Sequence, residues 1–118
     1  MKCIVLDRDG VINEDSVDYI KSAEEWTPID GSLEAIATLT ASGYRVAIAT
    51  NQSGLARGLF DEYTLAKIHQ KMCSSVEDEG GFIEGIFFCP HGPDESCSCR
   101  KPGTGLLTRI EQELGVSL

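Results

Sequence analysis

The segment Lys2-Cys3-Ile4-Val5-Leu6-Asp7-Arg8-Asp9-Gly10-Val11-Ile12-Asn13 limits the folds open to this chain more than any other. Its apolar run shows no period-2 alternation and reads as a strand buried on both faces, as in a parallel sheet covered by helices. Open sheets of that kind place their chemistry at the carboxyl ends of the strands. Asp7 closes the run and Asp9 lies just past it, so both carboxylates reach that rim. Like charges this close resist joint ionisation unless a cation or a shared proton relieves them. A hard divalent ion such as Mg2+ takes oxygen ligands in a tight shell and would do so. One carboxylate can then attack an electrophile while the other moves a proton. D-x-D-G is also an ordinary turn sequence, because Asp and Gly favour such backbone geometry. The rest of the chain decides between the two.

A length of 118 residues supports one domain with a modest core. The net charge of -9, from 19 acidic and 10 basic residues, argues against broad binding to nucleic acid or anionic lipid. A phosphorylated substrate stays possible if a few cations are focused inside a site. No apolar run approaches the ~20 residues of a membrane span, and the amino terminus enters a strand without a secretory h-region. A cytoplasmic setting is expected. There, five cysteines serve as metal ligands or core thiols rather than disulfides.

Residues 13–31 are polar, broken and acidic, which suits a long functional loop. Ser32 reads as an N-cap, Leu33, Ile36, Ala37 and Leu39 as an apolar helical face, and Gly43 as the residue that closes the helix. Tyr44–Thr50 is a second buried strand, so strand, helix and strand imply a right-handed parallel crossover. It ends in Thr50-Asn51-Gln52-Ser53-Gly54. Hydroxyl and amide side chains before a glycine suit hydrogen bonding to a phosphoryl oxygen, though they also suit a plain strand-to-helix turn. Asp61 can cap a helix with Tyr63, Leu65, Ile68, Met72 and Val76 on its buried face, ended by Gly80-Gly81. His69 on that helix reads as a surface or satisfied histidine and Cys73 as a small core residue. Phe82–Phe88 leads into a third strand, and Gly105–Leu114 resembles a helix with Leu106, Leu107, Ile110 and Leu114 on one face, stopped by Gly115.

Three of the five cysteines lie in the segment 89–99, as Cys89-x-His91 and Cys97-x-Cys99 separated by five residues. Residues i and i+2 of an extended chain point the same way, so each pair can hold one ion from one side. Three thiolates and an imidazole make a closed tetrahedral Zn2+ shell, which is structural because no position remains for water. A redox pair or chance clustering is the alternative. Arg100 and Lys101 follow directly. Cations on a rigid support beside paired carboxylates offset charge on a transferring phosphoryl group, although a solvated basic pair is the simpler possibility.

The motifs D-R-D-G-V-I-N at 7–13, T-N-Q-S-G at 50–54, C-P-H-x5-C-x-C at 89–99 and R-K-P at 100–102 resemble the haloacid dehalogenase superfamily of phosphatases. More narrowly, they resemble its zinc-bearing branch of heptose bisphosphate and histidinol-phosphate phosphatases. The resemblance implies an α/β, Rossmann-like parallel sheet with flanking helices and a zinc-stabilised loop at 89–99. It implies an aspartyl-phosphate mechanism with Asp7 as nucleophile and Asp9 as acid and base. Mg2+ would sit on the Asp7 carboxylate and the Asp9 backbone carbonyl, and Zn2+ on Cys89, His91, Cys97 and Cys99. Thr50 and Lys101 would hold the phosphoryl group beside Asn51, Gln52 and Ser53, Arg100 would recognise substrate, and Asp15, Ser16, Val17 and Asp18 would contact the sugar. N-Q-S-G-L-A-R-G at 51–58 favours removal of the 7-phosphate of a heptose 1,7-bisphosphate, a step toward nucleotide-activated heptose for lipopolysaccharide, over histidinol phosphate. The expected protein is a monomer with neither nucleic acid nor membrane as partner. The superfamily continues past the helix at 105–114 into a strand with a G-D-S-x-x-D-like motif that supplies a further Mg2+ ligand. The 118 residues alone are therefore expected to be a truncated domain that binds Mg2+ weakly and turns over poorly, an inactive zinc-stabilised fragment at the extreme.

Overall fold

The computed structural model describes residues 2–92, 97, 99–101 and 103–118. Pro93–Ser96 and Ser98 of the expected zinc loop, and Pro102 of the R-K-P motif, lie outside the described residues. Strands β1 (Cys3–Leu6), β2 (Arg45–Asn51) and β3 (Gly85–Cys89) form a parallel sheet in that order. Helix α1 (Ser32–Ala41) joins β1 to β2, α2 (Glu62–Asp78) joins β2 to β3, and α3 (Gly105–Leu114) follows β3. The register pairs Leu6 with Ile48 and Asn51 with Cys89, so Asp7, Thr50, Asn51 and Cys89 come to one rim.

Side chains of β2 alternate between two cores, because successive residues of a strand point to opposite faces. Val46 and Ile48 enter a cluster with Ile36 of α1 and Ile68, Met72 and Val76 of α2. Ala47 and Ala49 enter a second cluster with Phe87, Leu106 and Ile110. The sheet is thus covered on both faces, by α1 and α2 on one side and by α3 on the other. Each large side chain withdrawn from water contributes about 1.5–3 kcal/mol, and the bulkier β2 residues face the two-helix side.

Three local expectations are corrected. All four residues of β1 are half-buried instead of buried on both faces, because β1 hydrogen-bonds only to β2 among the described residues. Gly31, at φ 88°, occupies the N-cap of α1, while the Ser32 hydroxyl donates to the Ile12 carbonyl at 2.8 Å. Tyr63 and Leu107 are exposed, at 69% and 37%, because each falls beside the stripe that Leu65 or Leu106 occupies. The remaining boundaries follow their local chemistry. Asp61 accepts from the Thr64 N–H at 2.8 Å, and Gly43 closes α1 as the Tyr44 N–H bonds the Leu39 carbonyl.

The 13–31 segment is irregular, with one 3-10 turn at Ala23–Glu25, yet it is packed. Ile20 and Trp26 are buried, and the Lys71 ammonium of α2 donates to the carbonyls of Ala23 (2.7 Å) and Trp26 (2.8 Å). No helix among the described residues is long and apolar enough to cross a membrane.

Candidate active site

The end of β1 places Asp7 and Asp9 two residues apart in different surroundings. Asp7 keeps 44% of its side chain exposed. Its Oδ1 accepts from the Arg8 N–H at 2.8 Å, and its Oδ2 pairs with the Lys101 ammonium at 3.0 Å. Asp9 is held from within. Its Oδ1 meets Arg8 Nε (2.9 Å), the same guanidinium's second amino group (2.8 Å) and Asn13 Nδ2 (3.1 Å). Gln52 Nε2 donates to Asp9 Oδ2 at 3.1 Å. Arg8 and Asn13 are fully buried, and Asn13 Oδ1 has no hydrogen-bond partner among the described residues.

A cavity of about 250 Å³ opens at this rim, lined by Asp7, Asp9, Asp15, Ser16, Thr50, Asn51 and Gln52 together with Tyr19 and Ile20. Thr50 Oγ1 accepts from Gln52 Nε2 at 2.8 Å, so its own O–H remains available to donate. Asn51 plays a different part from the one its sequence position suggests. Its Oδ1 accepts from the Lys101 N–H (2.9 Å) and its Nδ2 donates to the Lys101 carbonyl (3.3 Å), which straps that segment to β2. Lys101 Nζ also donates to the Ala49 carbonyl at 2.7 Å, so the ammonium is fixed over the end of β2.

Not every expected residue reaches the cavity. Ser53 is buried behind it, and its carbonyl accepts from the Arg57 N–H at 3.1 Å. Val17 is 97% exposed, and Asp18 is exposed with its N–H on Ser16 Oγ at 3.2 Å. Arg100 donates to the His91 carbonyl at 3.1 Å. A larger depression of about 830 Å³ lies between the 55–64 segment and Pro90-His91; its Asp61 is occupied by the helix cap.

The ligand atoms of Cys89, His91, Cys97 and Cys99 all lie within 4.8 Å of one another. His91 Nδ1 is 3.4 Å from the Cys89 sulfur and 3.3 Å from that of Cys99, and the Cys89 and Cys97 sulfurs are 3.6 Å apart. Bond lengths of about 2.0–2.3 Å place the corners of a tetrahedral Zn2+ shell at about these three separations, whereas the Cys89 and Cys99 sulfurs lie closer, at 2.6 Å. Burial and the neighbouring Cys99 thiol push Cys89 up to about 12, whereas the Arg100 N–H brings Cys97 down to about 7. Three thiols and one imidazole form a soft donor set that could hold a metal such as zinc.

Sequence reasoning missed the groups that grip Asp9. Arg8 sits between the two carboxylates in the motif, and His69 shares the buried stripe of α2 with Leu65, Met72 and Val76. The structure shows a satisfied, buried histidine, with Nε2 at 3.2 Å from an Arg8 amino group. Burial, with the Arg8 charge, brings its pKa down to about 4.

A parallel sheet covered on both faces, with paired carboxylates and an ammonium at one rim, places the chain in the haloacid dehalogenase-like class of α/β domains. It belongs to the polynucleotide kinase 3 phosphatase family, whose model matches residues 2–117. The D-glycero-beta-D-manno-heptose-1,7-bisphosphate 7-phosphatase of Bordetella bronchiseptica is 53% identical over all of this chain and 66% of its own length. The protein of the same name from Pseudomonas putida is 52% identical, over all of this chain and 67% of its length. The chain thus spans about two thirds of the length of the curated relatives it matches.

Among solved structures, the D,D-heptose 1,7-bisphosphate phosphatase of B. bronchiseptica, complexed with magnesium and phosphate, superposes with a TM-score of 0.96 at 53% identity. It covers all of this chain and 66% of that one. A putative haloacid dehalogenase-like phosphatase from Mesorhizobium loti superposes at 0.86 with 33% identity, covering 97% of this chain and 57% of that one.

Proposed function

We propose that the protein carrying this chain is a Mg2+-dependent phosphatase that removes the 7-phosphate of D-glycero-D-manno-heptose 1,7-bisphosphate. The observation that carries the reaction is the Asp7 carboxylate at the mouth of a small polar cavity, between the Lys101 ammonium and a firmly held Asp9. The relatives' shared name supports the substrate. The family's name mentions a polynucleotide, but a net charge of -9 disfavours a polyanionic partner and suits a small sugar phosphate. The reading includes a cytoplasmic monomer that uses no nucleic acid or membrane and contributes to nucleotide-activated heptose for lipopolysaccharide. The reading takes residues 1–118 as one domain, which the sharing of β2 by both cores supports.

In the first step an Asp7 oxygen attacks phosphorus, the bond from phosphorus to the sugar oxygen breaks, and protonated Asp9 gives its proton to that oxygen. In the second, ionised Asp9 takes a proton from water as the water oxygen bonds phosphorus. The acyl-phosphate bond then breaks and Asp7 is restored with release of phosphate. Thr50 and Lys101 orient the phosphoryl oxygens and offset their charge. The carboxylates of Asp7, Asp9 and Asp15 belong to the cavity lining, a hard oxygen set that fits Mg2+. The Asp7 carboxylate and the Asp9 carbonyl would hold that ion, which supplies charge neutralisation between carboxylate and phosphoryl group. Zn2+ on Cys89, His91, Cys97 and Cys99 would be structural, keeping Arg100 and Lys101 in place. Asp15 and Ser16, which line the cavity, meet the sugar, whereas Val17, Asp18 and Arg100 lie outside its lining.

The test is phosphate release by the full-length protein with Mg2+, comparing heptose 1,7-bisphosphate with histidinol phosphate. Preference for the heptose ester is expected, and Asp7→Asn should lower kcat about a thousandfold or more. Preference for histidinol phosphate overturns the substrate, and failure to cleave any phosphate ester overturns the reaction.

A further inference from the structure

We infer that His69, remote from substrate, is a positioning residue that acts through Arg8 to hold Asp9 in its working orientation. The inference rests on the phosphatase reading. Arg8 carries a permanent charge at 0% exposure, and its planar guanidinium is engaged along three edges. One edge meets Asp9 Oδ1 through Nε at 2.9 Å and an amino group at 2.8 Å. That amino group also donates to Gln52 Oε1 at 3.2 Å, and the other lies 3.2 Å from His69 Nε2.

An arginine can only donate, so His69 Nε2 must be an acceptor and the ring proton must sit on Nδ1. The imidazole is neutral, as its lowered pKa requires beside a buried cation. The chain of contacts from α2 to the rim therefore has one polarity. His69 accepts from Arg8, Arg8 and Asn13 donate to Asp9 Oδ1, and Gln52 bridges Arg8, Thr50 and Asp9 Oδ2. Oδ1 is saturated by these donors, whereas Oδ2 receives one bond among the described residues and keeps a lone pair for the cavity. A carboxylate fixed in this way offers the same oxygen to the leaving group and then to water.

Removing the imidazole acceptor would leave a buried guanidinium N–H without a partner. The planar group would rotate to find one, carrying Asp9 with it. Displacement of a reacting group by about 1 Å can cost about a hundredfold in rate. Because His69 touches neither phosphate nor sugar, the loss belongs in kcat and not in KM.

The experiment uses the full-length protein with Mg2+ and heptose 1,7-bisphosphate. His69→Leu should lower kcat about tenfold or more with KM within about twofold. His69→Gln, whose amide oxygen can accept from Arg8, should recover most of the loss. Equal impairment of the two folded variants, or a loss confined to KM, overturns the inference. Should His69→Leu fail to fold, nitrogen-15 NMR of the wild-type imidazole decides. A neutral ring protonated on Nδ1 at pH 7 is expected, and protonation on Nε2 overturns the inference. Active wild type with an unimpaired His69→Leu overturns this inference alone, whereas wild type that cleaves no phosphate ester overturns the phosphatase reading with it.

Discussion

Asp7 and Asp9 are the same amino acid two positions apart, and the fold gives them different freedom. Asp7 faces the cavity with one ammonium beside it, while Asp9 is gripped by Arg8, Asn13 and Gln52. The pair itself was legible, because a charged motif ending an apolar run has few placements outside a strand rim. The grip was not, since it depends on His69, 61 positions from Arg8, and one-dimensional spacing carries no signal for that meeting. A pH effect follows. The folded His69 titrates at about 4, against 6.5 for an ordinary histidine. Below pH 6.5 the unfolded chain takes up a proton that the folded chain refuses, so stability falls progressively from pH 6.5 to pH 4. The loss is on the order of 3 kcal/mol. Urea midpoints measured across that range should decline in the wild type, with a shallower decline in His69→Gln. Parallel declines would show that His69 is not the group responsible.

Elements were legible where a run of residues and its punctuation agree. β2, α2 and α3 fall where apolar patterning meets Asp61, Gly80-Gly81 and Gly115. The half-burial of β1 was hidden because the place of a strand in a sheet is a tertiary fact. Ser32 likewise lost its cap role to a carbonyl on a distant segment, Ile12. The close approach of α1 and α2 gives a prediction at this scale. A Cβ on Gly81 would lie 2.9 Å from Val76 Cγ1 and 3.0 Å from Ile36 Cγ2. Gly81→Ala should therefore destabilise the fold by about 1–3 kcal/mol, visible as a lower Tm. An unchanged Tm would mean that the two helices separate without strain.

Across the whole molecule, one rim collects groups from every strand. Lys101 is the junction, bonded to Asp7 after β1, to Ala49 and Asn51 in β2, and following the Cys/His cluster that begins at the end of β3. The gathering of the four Cys/His side chains was legible from their spacing, because residues i and i+2 of an extended chain point the same way. Their mechanical link to the carboxylates was not, since it runs through the Asn51 amide. Stripping the cluster with a chelator, or Cys97→Ser, should release Lys101 and weaken inhibition by inorganic phosphate about tenfold. Unchanged inhibition by a metal-free protein would separate the cluster from the site.

The most direct measurement is rapid acid quench of the full-length protein during turnover of heptose 1,7-bisphosphate with Mg2+, followed by peptide mass analysis. A phosphoryl group on the peptide containing Asp7, absent in Asp7→Asn, is the expected result. Phosphate release with the phosphoryl group trapped on another residue would contradict the assignment of Asp7 as nucleophile.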